Sequence, residues 1–454
     1  MTPAPTNASL IARDLAVLWH PCTQMKDHES ALPLLPIRRG AGAWLTDHDG
    51  NRYLDAISSW WVNVFGHAHP AINAALSAQL ESLEHVMFAG FTHEPAIELA
   101  EQLVGLAPPG LTRCYFADSG SNAIEIALKM SYHFWQNSGQ PRKTRFITLA
   151  NSYHGETLGA LAVGNVELYK SIYRPLLMDV LTAPSPDAYE RRDGETAAEC
   201  AARQAQELAK LLQENAGEIS AIILEPLVQC AGNMRMYDPS YLSIVRRLCD
   251  EYGVHLIADE IAVGMGRTGK MFASEHAHVT PDFLCLSKGL SGGYLALSAV
   301  LTTDQVYRAF YDEYSRLNAF LHSHSFSGNP LACSAALATL KLFRNTDALR
   351  TVQELAKVLS WEMAVFKDHP HVSDVRQCGL IGAVEFVRNR ADRQPFDWRD
   401  RRNLRIYRHA LQRGVILRPL GNVIYFMPPY IVTPDEIRLM CEVAREGLEI
   451  ATCA

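Results

Sequence analysis

The chain has 454 residues, of which 48% are hydrophobic and 20% are charged, with a formal net charge of −7. This composition is that of a globular protein without a long Lys/Arg run or a membrane-length apolar run, so it argues against nucleic-acid and membrane partners. The ten cysteines form no Cys-x-x-Cys pair, and we expect a cytoplasmic protein with reduced thiols, small-molecule partners and no metal.

Residues 1–65 are predicted to be an N-terminal segment that joins a small domain. Within it, residues 43–56 (AWLTDHDGNRYLDA) have the pattern of two short strands around an Asp-Gly-Asn turn, which is typical of a β-hairpin. From about residue 70 the apolar spacing becomes helical, at 71–83 and again at 94–106.

Residues 66–330 alternate strand and helix patterns, which predicts a large α/β domain around a mainly parallel sheet of about seven strands. Predicted strands lie at 113–116, 145–149, 221–227, 254–258, 283–286 and 297–302. Predicted helices lie at 122–135, 201–213 and 239–252.

A long helical pattern begins after Asn329-Pro330 and extends over 331–366. We therefore place a domain boundary there and expect residues 331–454 to form a C-terminal small domain. The remaining patterns of this part are a strand at 379–386, a helix at 398–413, strands within 415–426 and a helix at 434–450. They predict an α+β domain.

The strongest chemical signal is an acid and a lysine at the ends of two predicted strands. Asp259 ends one strand, and Lys288 follows the next. Pyridoxal phosphate needs both residue types: a lysine amine joins its aldehyde and moves protons, and a carboxylate keeps its pyridine nitrogen protonated. Alone, Lys288 would be interpreted as a surface lysine and Asp259 as a helix cap. Because parallel strands end in one crevice, the pair favours the catalytic interpretation.

A second signal is the segment Asp118-Ser-Gly-Ser-Asn122, between a predicted strand and a predicted helix. Backbone N–H groups at the start of a helix bind anions, Gly120 allows a close approach, and Ser121 adds a hydroxyl. The segment therefore predicts a phosphate site, although an ordinary helix cap explains it equally well when it is considered alone.

Other candidates are less distinctive. Tyr153 suits stacking on a cofactor ring, whereas we assign no role to His154. Gln229 is expected to reach the cofactor's phenolic oxygen, with a hydrogen bond to loop backbone as the alternative. For Trp60 and Arg418, spacing alone does not separate a functional role from a core or surface position.

Taken together, these motifs resemble the subgroup III pyridoxal-phosphate aminotransferases of fold type I, over nearly the whole chain. Segments that look like the branch acting on 8-amino-7-oxononanoate in biotin biosynthesis, with S-adenosylmethionine as amino donor, are 18–25 (LWHPCTQM), 58–70, 85–99, 235–239 and 418–431. The resemblance implies an aminotransferase in which Lys288, Asp259 and Tyr153 are catalytic. By the same resemblance, Gly120 and Ser121 would bind the cofactor together with these three, and Gln229 is expected beside them from its place at a strand end.

The resemblance also implies a homodimer with shared active sites. The family's usual Gly-Pro-Thr is replaced here by Ser323-His324-Ser325, so His324 and Ser325 would bind the phosphate of the partner subunit's cofactor. Ser323 and Trp60, with Tyr153 and Lys288, would line the substrate pocket. Arg418 would bind a substrate carboxylate through its two-pronged guanidinium.

The amino donor stays open at this point. Cys22 stands where the S-adenosylmethionine-using enzymes commonly have a tyrosine that stacks on adenine, and residues 310–314 (FYDEY) are similar to the branch that uses lysine. The alternatives are therefore a lysine-donor, ω-amino-acid or diamine aminotransferase. A protein of this fold that only binds ligand is a more distant alternative, because a binder needs no proton-transferring lysine.

Overall fold

The computed structural model describes residues 5–453, and the chain divides into two compact units. The larger unit is Ala71–Val352, and the smaller one combines the chain up to Pro70 with the chain from Gln353 onward. The boundaries predicted from the sequence, after residues 65 and 330, differ from these. The helix Pro330–Asn345 packs on the helix Glu94–Leu106 of the larger unit, so the second part of the smaller unit begins later than predicted.

A seven-stranded sheet forms the centre of the larger unit and confirms the predicted mainly parallel α/β fold. Six strands run in one direction, and Ser298–Thr303 is antiparallel to both of its neighbours. The spatial order is Leu111–Ala117, Ser298–Thr303, Phe283–Leu286, His255–Asp259, Ile219–Leu224, Arg145–Leu149 and Leu181–Ala183. The sequence patterns identified six of these strands, because the three-residue Leu181–Ala183 is too short to show a period.

Each face of this sheet carries a hydrophobic core. The helix Gly120–Asn137 packs on one face with Ile223, and the helices Ala197–Glu214 and Ser240–Tyr252 pack on the other with Ile222. Successive residues of a strand point to opposite faces of the sheet, so helices on both sides bury the side chains of both faces. Further α-helices of this unit are Pro70–Leu80 (beginning at the boundary), Glu94–Leu106, Leu158–Val163, Glu167–Lys170, Asp304–Arg308 and Pro330–Asn345.

The predicted continuous helix over 331–366 is in fact two helices, Pro330–Asn345 and Ala348–Met363. The chain adopts a left-handed conformation at Asp347, with φ of 48°, and this ends the first helix. The second helix contains the boundary between the two units.

The smaller unit holds two sheets. The first sheet has the strand order Ile37–Ala41, Trp44–Asp47, Arg52–Asp55 and Val415–Ile416. The second sheet has the strand order Val372–Cys378, Ile381–Phe386 and Val423–Phe426. The predicted hairpin is confirmed, since the second and third strands of the first sheet are antiparallel neighbours. The main helices of the smaller unit are Asn7–Val17, Arg402–Gln412 and Pro434–Thr452.

Directly after the strand Arg52–Asp55, the residues Ser58–Trp61 form a left-handed turn. Their φ angles are 49°, 45°, 72° and 75°. A residue with a Cβ atom loses roughly 1–2 kcal/mol in this region of backbone space. Trp61 is buried at 5% exposure, whereas Trp60 keeps 41% of its surface exposed. The turn is strained, so surrounding contacts must offset its cost.

Within residues 5–453, no helix is both long enough and apolar enough to pass through a membrane. The same part of the chain contains no cluster of three or more His, Cys, Asp and Glu side chains with the geometry of a metal site. The buried cysteines, such as Cys249 and Cys441, are thiols.

Candidate active site

Ionisable and polar side chains that suit catalysis lie at one edge of the seven-stranded sheet, where its six parallel strands end. Asp259 is the last residue of its strand, and the two neighbouring strands lead directly to Lys288 on one side and Glu225 on the other. Asp118–Asn122 and Tyr153 follow two further strands of the same set. Ligands of open α/β sheets bind at such an edge.

Asp259 is buried, and a histidine holds its carboxylate. The Oδ2 atom of Asp259 lies 2.7 Å from Nδ1 of His154, and Oδ1 accepts the backbone N–H of Ile261 at 3.1 Å. His154 is itself buried, and its Nε2 has no hydrogen-bond partner in the described part of the chain. A buried carboxylate requires such donors. His154 is a residue that the sequence did not identify, because no local pattern indicates a partner this far along the chain.

Lys288 begins a short 3₁₀ turn and has a φ of 44°. Burial lowers the pKa of its amine, while the nearby Cys230, Asp259 and Glu225 act in the opposite direction. A lowered pKa leaves a larger share of the amine neutral near pH 7. The neutral amine is the form that attacks an aldehyde.

Glu225 is a second residue that the sequence did not single out. Its Oε1 accepts the backbone N–H of Tyr153, and its Oε2 accepts that of Cys230, both at 3.0 Å. Burial raises the pKa of this carboxyl to about 8, and Asp259 acts in the same direction. Glu225 therefore ties together the two loops that carry Tyr153 and Gln229.

The segment after Leu111–Ala117 has the geometry of an anion site. Ser119 caps the 18-residue helix Gly120–Asn137 by accepting the N–H of Asn122. A Cβ atom at Gly120 would lie 3.0 Å from Cγ2 of Ile261, so glycine lets the loop approach the segment that follows Asp259. The N–H groups at the start of this helix, with the Ser121 hydroxyl beside them, suit a phosphate.

Tyr153 and Gln229 both have partners at the strand edge. The hydroxyl of Tyr153 donates to Glu156 at 3.0 Å. Gln229 is fully buried, donates to the carbonyl of Ala150 at 2.9 Å, and accepts the Ser185 hydroxyl at 2.7 Å. These bonds correspond to the loop alternative that the sequence left open for Gln229. Its contact with a cofactor stays a prediction.

The segment with the unusual Ser323-His324-Ser325 is connected to the anion loop within the same chain. Nδ1 of His324 lies 3.0 Å from Oδ1 of Asp118 and 3.2 Å from Nδ2 of Asn122. Burial raises the pKa of Asp118, but the hydrogen bonds from Asn122 and His324 outweigh this effect and lower it. Ser323 and Ser325 are exposed, and their contact with a partner subunit stays a prediction.

Trp60 and Arg418 belong to the smaller unit, and the fold brings them together there. The guanidinium carbon of Arg418 lies 4.8 Å from the centroid of the Trp60 ring, which is a cation–π contact. The strands that precede the two residues are parallel neighbours, with Asp55 paired to Ile416.

The residues at the strand edge fit a phosphorylated aromatic aldehyde. Lys288 offers an amine of lowered pKa to the aldehyde, and the buried Asp259 offers a carboxylate to a protonated ring nitrogen. Gly120 and Ser121 offer the start of a helix to the phosphate. These are the groups that pyridoxal phosphate requires.

Comparison with known proteins agrees with this fit. The model of the family Aminotransferase class-III matches residues 25–447. The adenosylmethionine-8-amino-7-oxononanoate aminotransferase of Geobacter sulfurreducens is 44% identical over 436 residues, which is 96% of either chain. The structure of the enzyme of that name from Methanocaldococcus jannaschii matches with a TM-score of 0.92 and 37% identity, over 98% of this chain and 99% of that chain. An omega transaminase from Pseudomonas jessenii, solved in complex with PMP, matches with a TM-score of 0.93 and 31% identity, over 98% of each chain.

Proposed function

Because the chain belongs to the class-III aminotransferases, we propose that it transfers an amino group to the ketone of 8-amino-7-oxononanoate and forms 7,8-diaminononanoate for biotin biosynthesis. Full-length similarity to enzymes of that name, at 36–45% identity, carries the choice of acceptor. The position of Lys288 beside Asp259 at neighbouring strand ends supports the chemistry.

The enzyme uses pyridoxal phosphate. When bound, this cofactor supplies an electron-withdrawing ring and an aldehyde that takes up the donor's amino group. In our proposal, Gly120 and Ser121 hold its phosphate, Tyr153 covers its ring, and Asp259 faces its pyridine nitrogen. Gln229 is the proposed donor to its phenolic oxygen.

Lys288 is the proposed carrier of the cofactor and of the proton. Its neutral Nζ would accept the proton that leaves the α-carbon of the donor, and the resulting ammonium would deliver that proton to the carbon that was the cofactor's aldehyde carbon. The lowered pKa of the Lys288 amine keeps a larger share of Nζ neutral and able to accept a proton. In this proposal His154 and the Ile261 amide hold the Asp259 carboxylate in place through hydrogen bonds.

The acceptor is an aliphatic chain with a carboxylate at one end. Arg418 is the proposed partner of this carboxylate, and Trp60, on which the guanidinium lies, would line the pocket. Ser323 is proposed to contact the substrate as well. Removal of Arg418 should raise KM for the acceptor more than it lowers kcat.

We further propose that the enzyme works in the cytoplasm as a homodimer with shared active sites. Leu168, Ile172 and Leu321 expose 79% or more of their apolar surface, which a second copy would cover. His324 and Ser325 would then bind the phosphate of the partner subunit's cofactor. Mixing inactive Lys288→Ala protomers with impaired Ser325→Ala protomers should restore activity, because each mixed dimer contains one intact site. No recovery in dimers shown by sedimentation to be mixed would contradict the sharing.

S-adenosylmethionine is the proposed amino donor, by similarity to the named relatives. Two observations favour other donors. The exposed Cys22 cannot supply an aromatic platform for adenine, and the omega transaminase is structurally as similar as the biotin-pathway enzyme. A lysine, ω-amino-acid or diamine donor is therefore the second candidate.

The identity of the donor can be tested by absorbance. The holoenzyme is mixed separately with S-adenosylmethionine, lysine and a simple diamine, and its spectrum is recorded. Without acceptor, only the true donor should abolish the absorbance band of the bound cofactor. A response to S-adenosylmethionine alone supports the proposal, and a response to lysine alone assigns the enzyme to the lysine-using branch. If none of the three compounds changes the spectrum, the assignment to biotin biosynthesis is wrong.

A further inference from the structure

The left-handed turn Ser58–Trp61 is a strained segment that contains Trp60, a proposed substrate residue. Four consecutive residues with side chains have positive φ, although none of them is the glycine that such a conformation favours. Strain of this kind persists only when the surrounding structure enforces it, and it is concentrated at functional positions. The contacts that enforce it therefore matter for function.

Asp55 is the centre of these contacts. It is fully buried at the end of the strand Arg52–Asp55. Its Oδ2 accepts the Ser59 hydroxyl at 2.7 Å and lies 2.9 Å from Nε2 of His67, while its Oδ1 accepts the N–H of Ile57 at 3.3 Å. One carboxylate thus ties the residue before the turn, a residue within it and the histidine after it.

The opposite side of the turn is fixed to the other sheet of the same unit. The Ser58 hydroxyl donates to the carbonyl of Met427 at 2.8 Å. The indole N–H of Trp61 donates to the Tyr425 hydroxyl at 3.3 Å, and the two rings meet edge to face. Trp61 is thereby buried. Its neighbour Trp60 points away and remains exposed.

The backbone geometry explains why Trp60 meets Arg418. Asp55 and Ile416 are register partners in a parallel strand pair, so the segments that follow them start side by side. A right-handed turn after Asp55 would send the Trp60 side chain in another direction. The left-handed turn places its ring 4.8 Å from the guanidinium carbon of Arg418.

We propose that Asp55, acting through Ser59 and His67, is a positioning residue that holds Trp60 and Arg418 together as a preformed carboxylate-binding surface. A guanidinium already fixed on an indole face loses little conformational freedom when a carboxylate binds. The inference rests on the proposed function, in which the acceptor's carboxylate is the ligand. Asp55 contacts no substrate in this account.

Asp47 provides a matched control for Asp55. It ends the neighbouring strand of the same sheet, is 1% exposed, and accepts hydrogen bonds from Asn51, Tyr53 and Asn7. None of its contacts involves the turn. Asp47→Asn should therefore reproduce the loss of stability caused by replacing a buried aspartate in this sheet, without the loss of positioning.

The test compares the holoenzymes of Asp55→Asn, Ser59→Ala, Asp47→Asn and Arg418→Ala. For each we would measure kcat, KM for the acceptor, KM for the donor, the midpoint of thermal unfolding, and binding of nonanoate by calorimetry. Nonanoate has the chain length and carboxylate of the acceptor but no reacting groups. Asp55→Asn should raise KM for the acceptor and weaken nonanoate binding by about tenfold each, with kcat nearly unchanged, since only binding is lost. Ser59→Ala should show the same pattern to a smaller degree.

Two different results would count against the inference. If Asp55→Asn changes acceptor and nonanoate binding no more than Asp47→Asn does, while Arg418→Ala still weakens both, the positioning role is wrong and the proposed function stands. If Arg418→Ala leaves both unchanged, the carboxylate is bound elsewhere, and the proposed substrate contact and the inference are both overturned.

Discussion

Two regions of this enzyme hold their functional side chains by different physical means. At the strand edge of the larger unit, Asp259 and Glu225 are buried, and each carboxylate is held by hydrogen-bond donors. In the smaller unit, Trp60 is exposed, and its direction depends on a strained backbone turn. The proposed catalytic side chains are thus held by hydrogen bonds in a buried environment, whereas the proposed recognition surface depends on backbone conformation. Substitutions at the strand edge should therefore lower kcat, whereas substitutions in the turn or in its support by Asp55 should mainly affect binding of the acceptor.

The largest expected loss of activity follows from replacing Lys288 at the buried strand edge. Lys288→Ala should lower kcat by at least about a thousandfold, because the proposed proton carrier and point of covalent attachment are both lost. Lys288→Arg should be nearly as inactive, since arginine stays protonated at neutral pH. Steady-state rates and the absorbance of the bound cofactor would be measured. The exposed Lys210→Ala serves as the control, and substantial turnover by Lys288→Ala would refute the mechanism.

A smaller effect is expected when the support of the buried carboxylate is removed. His154→Phe should lower kcat by about 10- to 100-fold, because Asp259 loses the donor that holds it. The control is His255→Phe, which replaces a buried histidine in the strand His255–Asp259, bonded to the Ser131 hydroxyl at 2.9 Å. It should lower stability and leave kcat nearly unchanged. Equal losses of kcat in both variants would show that His154 acts only through packing.

The raised pKa of Glu225 predicts a pH dependence of stability. Its ordinary pKa is 4.5 and its folded value is about 8, so between these values the folded protein keeps a proton that the unfolded chain has released. The stability contributed by the neutral carboxyl is complete below pH 4.5 and is lost as the pH rises to about 8. From about pH 5.5 to pH 8.5, the free energy of unfolding should fall by about 1–3 kcal/mol more in the wild type than in Glu225→Gln.

Urea unfolding at both pH values measures this difference. Glu251→Gln, at an exposed position, should retain the wild-type pH dependence. An identical pH dependence in Glu225→Gln and the wild type would mean that Glu225 does not titrate in this range.

The smallest effect concerns the strained turn itself. Ser59→Ala and Ser59→Gly both remove the hydroxyl that donates to Asp55, but only glycine accepts a φ of 45° without steric cost. The glycine variant should therefore be more stable than the alanine variant by about 1 kcal/mol. Urea unfolding would compare them. The opposite order would indicate that the turn is not left-handed in solution.

Much of the strand edge could be predicted from sequence, for a definite reason. Asp259, Lys288 and Asp118–Asn122 each follow a short apolar run, and in a parallel sheet all such runs end at the same edge. The contact between His154 and Asp259, and those of Glu225 with two loop amides, are tertiary contacts without a local pattern. In the sequence, Glu225 was only a carboxylate within the predicted strand 221–227, directly after the apolar residues 221–224.

The recognition region was less accessible to prediction. The hairpin was predicted from its Asp-Gly-Asn turn, because the spacing of apolar residues and the turn type are local properties. Nothing in Ser-Ser-Trp-Trp favours positive φ, so the left-handed turn follows from Asp55, Met427 and Tyr425 around it. The role of Cys22 depends on the ligand and not on the fold.

The pairing of Arg52–Asp55 with Val415–Ile416 also sets an order for folding during synthesis. The ribosome makes the first of these strands early, yet its partner emerges only after the entire larger unit has been made. Contacts between such distant parts of a chain form slowly, because a long loop must close first. The sheet that carries Asp259 and Lys288 needs nothing beyond residue 303 to complete its strands. A nascent chain can thus complete the strands of the larger unit's sheet before the sheet that contains Arg52–Asp55 and Val415–Ile416 can close.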